Sequence, residues 1–191
     1  LVLREFSALK EQYAEIESRL QAIAENGVPN YFGEQRFGHD CGNLVQAQTL
    51  IERDQLKGNR RGTGMILSAA RSWLYNLVVA ERIRRDNWST AMEFETQPCA
   101  PLWGRGRSTT GGDLAELEQE ILADWQSWCY ALEHAGLKQE RRATVLLPDA
   151  LRWKRLEPDQ LELSFGLTTG GYATVVLREI AELFRPQIQA L

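Results

Sequence analysis

The chain has 191 residues, of which 43% are apolar and 25% charged, with a formal net charge of −4. That length and composition suit a soluble globular protein with one good core or two small ones, and no apolar run approaches the roughly 18 to 20 residues that span a bilayer. The amino end shows no basic-then-apolar signal pattern, so a cytoplasmic location is expected, while Cys41, Cys99, Cys129, His39 and His134 form neither a disulfide framework nor a zinc spacing.

Leu1-Val2-Leu3 opens the chain as a short apolar strand. Ser7 follows as a candidate N-cap, and Leu9, Tyr13, Ile16, Leu20 and Ile23 recur at steps of four and three. That spacing predicts an amphipathic helix, ended by Asn26-Gly27. The next twelve residues, Gly27-Val28-Pro29-Asn30-Tyr31-Phe32-Gly33-Glu34-Gln35-Arg36-Phe37-Gly38, crowd three aromatics and three glycines into one segment. Pro29 pushes Val28 toward an extended conformation, and glycine serves where the backbone reaches φ > 0. Residues alone suggest a shaped loop over an aromatic mini-core. Arg36 and Gln35 have the chemistry for RNA backbone contact, and a buried arginine bonded to loop carbonyls is an equal reading. His39 and Cys41 read as polar surface residues rather than a metal pair.

Leu44, Ala47, Leu50 and Ile51 predict a short helix, broken by the polar, basic stretch 53–64 with Arg53, Lys57, Arg60 and Arg61. From 65 to 85 a longer helix carries apolar residues over much of its circumference, which implies neighbours on more than one side. Arg71, in its middle, reads as an intramolecular bridge to a carboxylate or carbonyl. Arg82, Arg84 and Arg85 read as charges complementing the helix end. Residues 86–112 lack a sustained period and read as loop. Asp113, with Glu116 three residues on, predicts a capped helix start; Leu117, Ile121, Trp125, Trp128 and Leu132 make one buried stripe, stopped by Gly136. Trp125 and Trp128 read as core, not as a base-stacking platform.

In the last third, 144–147 predicts a short strand, and Leu161, Leu163, Phe165 and Leu167 alternate with Glu162, Ser164 and Gly166 in the period of a half-buried strand. Beyond Gly170-Gly171, the spacing of Ala173, Val176, Leu177, Ile180 and Leu183 returns to helix. The fold class is α+β, with no internal repeat. Strands at 1–3 and 161–167 without all their sheet neighbours would leave edges prone to association. The net charge is unfavourable for a nucleic-acid binder, so clustering matters more than the sum. Arg53 to Arg61 and the loop with Arg105 and Arg107 lean toward phosphate contact, a solvated surface being the equal alternative.

The segment 27–38 resembles the one that opens the insertion domain of the TruD-type tRNA pseudouridine synthases. Four more segments resemble that family in the same order: Leu67-Ser68-Ala69-Ala70-Arg71-Ser72-Trp73-Leu74-Tyr75-Asn76, Pro101-Leu102-Trp103-Gly104-Arg105-Gly106, Gly136-Leu137-Lys138-Gln139-Glu140-Arg141-Arg142-Ala143 and Gly171-Tyr172-Ala173-Thr174-Val175-Val176-Leu177-Arg178-Glu179. The resemblance implies parts of a pseudouridine synthase catalytic domain, with a mixed or antiparallel sheet and helices, at 1–26 and 148–191. It implies a largely helical insertion domain at 27–147. It further implies tRNA as partner, isomerisation of uridine 13 to pseudouridine in the D-arm region, and no cofactor, metal or membrane.

In that family a single aspartate acts on the flipped-out nucleotide, from a Gly-x-Lys-Asp segment upstream of the Leu-Val-Leu-Arg-Glu strand. Here that strand comes first. None of Asp40, Asp54, Asp86, Asp113, Asp124, Asp149 and Asp159 follows Gly-x-Lys, so no catalytic residue is assigned and the nucleophile is expected upstream. Trp88-Ser89-Thr90-Ala91-Met92 also runs almost directly into Glu95, where relatives carry a longer segment, so residues are expected to be missing there. One substrate-binding residue carries over: Tyr172 matches the aromatic position that contacts the target uridine. Without the resemblance it reads as a ring capping the core at a strand-to-helix turn. Thr168-Thr169 replaces the Pro-Ala of many relatives, which alters the stiffness of that turn. The alternative function is a non-catalytic RNA-binding or assembly module of the same architecture; a helical interaction protein with only surface arginines is a third.

Overall fold

In the computed structural model, which describes residues 1–7, 11–57 and 62–182, the chain separates into two units. One combines Leu1–Val28 with Leu146–Leu191, and the other is Pro29–Val145. Strand β1 is Val2–Leu3 and helix α1 is Tyr13–Asn26; β2 (Val28–Pro29) pairs with β5 (Val145–Leu146).

The first unit is built on a three-stranded antiparallel sheet in the order β1-β7-β6, with β6 at Asp149–Glu157 and β7 at Gln160–Gly166. Alternation decides which face β7 buries: Leu161 and Leu163 are sealed while Glu162 and Ser164 are exposed. The N–H of Leu163 donates to the carbonyl of Leu1 at 2.8 Å, extending the β1 ladder. Helix α1 buries Ile16, Leu20 and Ile23, the three-and-four spacing expected of it. Trp153 Nε1 on β6 donates to Glu17 at 3.4 Å, and the Arg155 guanidinium lies 5.1 Å from the Tyr13 ring. Helix α6 (Ala173–Arg178) buries Val175, Val176 and Leu177.

In the second unit, α3 (Thr63–Arg84) packs on β3 (Cys99–Leu102), which forms a two-stranded antiparallel ribbon with β4 (Glu140–Ala143), and α2 (Gly42–Glu52), α4 (Gly112–Ile121) and α5 (Gln126–His134) pack on α3. Helix α3 is the hub: Leu67, Ala70, Leu74, Tyr75, Val78 and Val79 are all buried, on faces that one stripe could not cover. Fully burying a Leu or Val side chain contributes about 1.5–3 kcal/mol, so this helix carries much of the unit's core.

Several expectations are corrected. Helix α1 begins at Tyr13 with Gln12 at its cap and no side-chain cap bond, so Ser7 does not start it. Leu9, Arg60, Arg61 and Leu183 lie outside the described residues. The stretch 86–112 contains β3, whose Cys99 to Leu102 pair with Ala143 to Glu140; four residues with a central proline show no alternation to read. Strand β6 was also not anticipated, although Leu151 and Trp153 alternate with Arg152 and Lys154; its burial is slight because it is a sheet edge. The single helix expected from 113 to 132 is two. A 3-10 turn at Ala123–Trp125 separates α4 from α5, and Trp125 N–H and Gln126 Nε2 both donate to Leu122 O, at 3.0 and 2.9 Å. The break lets Trp125 meet Trp73 and Trp128 edge-on, at 5.8 and 5.1 Å. Asp113 lies in the first turn of α4, and Gly111 occupies the cap position without a side-chain bond.

Candidate functional site

Four of the five family-like segments meet inside the second unit. The aromatic loop is clamped to α3 by Asn76, whose Oδ1 accepts from Phe32 N at 2.9 Å and whose Nδ2 donates to Phe32 O at 3.0 Å. Phe32 sits edge-on to Tyr75 at 5.3 Å and Phe37 edge-on to Trp73 at 6.1 Å, both phenylalanines being buried. Asn30 ties the same loop to the end of β4, with its backbone N–H donating to Thr144 O and its Nδ2 to Ala143 O, both at 2.8 Å. The loop thus forms an aromatic mini-core, interrupted by short 3-10 turns at Glu34–Phe37 and His39–Cys41. Arg36 Nη1 donates to Ser68 Oγ at 2.9 Å, whereas Gln35 is exposed.

The second junction is centred on Arg71. Its Nε donates to Trp103 O at 2.9 Å, and its Nη2 to Leu102 O at 2.7 Å, to Lys138 O, and across 3.2 Å to the Glu140 carboxylate. Arg71 is therefore the internal bridge that its place in an apolar helix suggested. Gly104 is pressed against the same segment: a Cβ there would lie 2.5 Å from Lys138 O, so only glycine allows the approach. Gly104 N donates to Gln139 Oε1 at 2.7 Å, Arg105 N to Leu137 O at 2.6 Å and Gln139 N to Arg105 O at 3.0 Å.

The arginines divide by environment. Arg82 was expected as a charge at the helix end and is instead fully buried. Its Nη1 contacts both Glu95 oxygens, at 2.9 and 3.0 Å, and Cys99 O at 2.9 Å; its Nη2 donates to Thr90 O at 2.7 Å. Arg141 Nη2 donates to Glu118 at 2.6 Å and Cys99 O at 2.9 Å. Burial pushes the Glu118 carboxyl above its ordinary range against the pull of Arg141. Arg84 and Arg85 are held by Glu81, whose carboxyl their hydrogen bonds lower to about 2. Arg142 Nη2 donates to Asn30 Oδ1 at 2.6 Å, and its guanidinium lies 4.3 Å from the Phe32 ring. By contrast, Arg105, Arg107 and Lys138 are exposed, and no described residue pairs with their side chains.

In the first unit, Tyr172 is half-buried at the N-cap of α6, with extended backbone at φ −116° and ψ 119°. The turn before it is tight. Gly171 N–H donates to Thr168 O at 2.9 Å and Gly170 adopts φ 86°. A Cβ on Gly171 would meet Leu146 Cδ1 at 2.9 Å. Tyr172 O accepts from Val175 N at 3.0 Å, so the Tyr172 backbone and the helix start are set together. Asp149 is exposed at the start of β6 in register with Gly166, and Asp159 O accepts from Phe6 N at 3.0 Å in the β6–β7 turn.

Among the described residues, no group of three or more His, Cys, Asp or Glu could hold a metal ion, and no helix is long and apolar enough to cross a membrane. His39 is almost wholly exposed beside Asp40, 2.8 Å away.

Residues 1–58 and 88–180 match the family model described as tRNA pseudouridine synthase D (TruD). Over 175 residues the chain is 45% identical to the tRNA pseudouridine synthase D of Cellvibrio japonicus (strain Ueda107), an alignment covering 90% of this chain and 52% of that protein. The proteins of the same name from Aeromonas hydrophila subsp. hydrophila and Hydrogenovibrio crunogenus are 40% and 37% identical, covering 90% and 96% of this chain and 56% and 60% of theirs. The chain thus spans little more than half the length of these relatives.

Proposed function

Because this chain belongs to the tRNA pseudouridine synthase D (TruD) family, we propose that it is part of a cytoplasmic enzyme that isomerises uridine 13 of tRNA to pseudouridine. The reaction breaks the bond between C1′ and N1, turns the uracil and joins C1′ to C5. The C5 proton is released and N1 gains one, without net redox change. The first unit, with its sheet and Tyr172, is read as part of the catalytic domain, and the second as the insertion domain. No aspartate in these 191 residues follows Gly-x-Lys, and none of them is assigned as the nucleophile. Tyr172 stacks on the target base, which flipping has removed from its neighbours.

The observation that carries this reading is the 45% identity over 90% of the chain. The test is tritium release from tRNA labelled at C5 of uridine, using the full-length product of the gene, followed by mapping of the modified position. Release with modification at position 13 supports the reading. Tight tRNA binding without release replaces it by the non-catalytic RNA-binding module, and absence of both removes the RNA function.

A further inference from the structure

A cavity of about 530 Å³ opens in the second unit between α3 and the segment after α5, lined by Gly64, Leu67, Ser68, Arg71, Ala135 and Leu137. Its walls combine apolar side chains with a hydroxyl and a guanidinium, the mixture that encloses a flat polar-edged group. Arg71 connects this cavity to the exposed cations, because its guanidinium both lines the cavity and bonds the backbone of Lys138. Lys138 is bridged in parallel register to Arg105, and Arg107 follows two residues on. Of the nearby carboxylates, Glu140 pairs with Arg71, and Glu133 is turned to Trp103 Nε1, from which it accepts at 2.9 Å.

We infer that this cavity and its cationic rim form a subsite for one unstacked nucleotide of the RNA, with the base in the cavity and the flanking phosphates on Arg105, Arg107 and Lys138. The inference rests on the proposed tRNA function. Two properties support it. Buried arginines elsewhere in the unit are neutralised by Glu95 and Glu118, whereas these three cations have no protein partner among the described residues. The scaffold beneath them is also stiff, being fixed by Arg71 to three carbonyls and by the close approach of Gly104. Cations carried on a fixed backbone beside an apolar recess suit a single strand, whose phosphates they attract while one unstacked base enters the recess.

The experiment measures binding of fluorescein-labelled tRNA to the full-length protein across a salt series. Two variants are compared with wild type: the triple change Arg105→Gln, Arg107→Gln, Lys138→Gln, and Gly64→Phe. The glycine variant is placed where a Cβ meets nothing within 4 Å, so the added ring can enter the cavity without displacing backbone. The triple variant is expected to bind at least about tenfold more weakly at 0.1 M salt, with the slope of log affinity against log salt reduced by about 2. Gly64→Phe is expected to weaken binding with the slope unchanged. Melting temperatures, followed by circular dichroism, stay at the wild-type value. If either variant retains wild-type affinity while wild type binds tRNA, the subsite is wrong and the tRNA function stands. If wild type itself binds no tRNA, both are wrong. Single Lys138→Gln, read by the same slope, replaces the triple variant if the latter does not fold.

Discussion

The guanidinium of Arg82 and the carboxylate of Glu95 face each other at 2.9 Å with both side chains completely buried. The pair is saturated from both sides. Arg82 also bonds the carbonyls of Asn87, Thr90 and Cys99, and Glu95 accepts from the N–H groups of Met92 and Cys99. It therefore sews the irregular 86–99 stretch onto the end of α3.

Replacing Glu95 by Gln leaves a buried cation without its counter-charge. Breaking a buried ion pair from one side costs about 3–5 kcal/mol, and this loss is expected in the urea midpoint of the variant. A midpoint within error of wild type would mean that water reaches Arg82.

The same pair sets a pH dependence. Burial acts to raise the Glu95 carboxyl, but Arg82 and the Met92 and Cys99 N–H groups outweigh it and hold it below its ordinary value. A carboxyl depressed by folding adds stability above its unfolded pKa of about 4.3 and loses it as pH falls through the lower folded value. Wild type should therefore lose stability more steeply than Glu95→Gln below about pH 4, as seen in urea midpoints from pH 7 to 2.5. Glu118, raised mainly by burial and also by the Glu95 charge, has the opposite sign; its upward shift is smaller in Glu95→Gln, so it offsets part of the contrast without reversing it.

Gly104 and Gly42 should respond in opposite directions to alanine. At Gly104 the new Cβ would meet the backbone of Leu137 and Lys138 at 2.5 to 2.7 Å, so about 1–3 kcal/mol of stability is lost. Gly42 opens α2 with helical backbone and nothing within 4 Å of a Cβ, so Gly42→Ala should gain roughly 0.5–1 kcal/mol. Thermal melts of the two variants test this contrast.

Under the proposed function, Tyr172→Ala removes a stacking contact of about 1–3 kcal/mol, which is about 5- to 150-fold in kcat/KM, while Tyr172→Phe stays near wild type. Activity of the full-length protein should fall much further than its melting temperature. Equal losses of both, or full activity in the alanine variant, would leave Tyr172 as a ring that caps the core.

Features with a local physical cause were legible in the amino-acid order. The burial of Ile16, Leu20 and Ile23 follows from spacing along α1, and that of Leu161 and Leu163 from the two-residue period of β7. The wide apolar surface of α3 signalled a hub, and a charge at position 71 in so apolar a helix called for an internal partner. The aromatic segment 27–38 likewise announced an aromatic mini-core, although the rings that Phe32 and Phe37 meet, Tyr75 and Trp73, belong to α3, and its wording pointed to the family.

Tertiary structure decided what depends on distant partners. Position 82 looks like any helix-end arginine until Glu95 and Cys99 fold over it. Strand β3 exists because β4, about forty residues on, offers it a ladder. Distant partners likewise decided which arginines are held against carboxylates, as Arg82 and Arg141 are, and which are left exposed, as Arg105 and Arg107 are. Periodicity and turn chemistry act between residues a few positions apart and are written in the order itself. The pairing of a buried charge or a strand edge is chosen among all residues that folding brings within about 3 Å, and no window of sequence contains that choice.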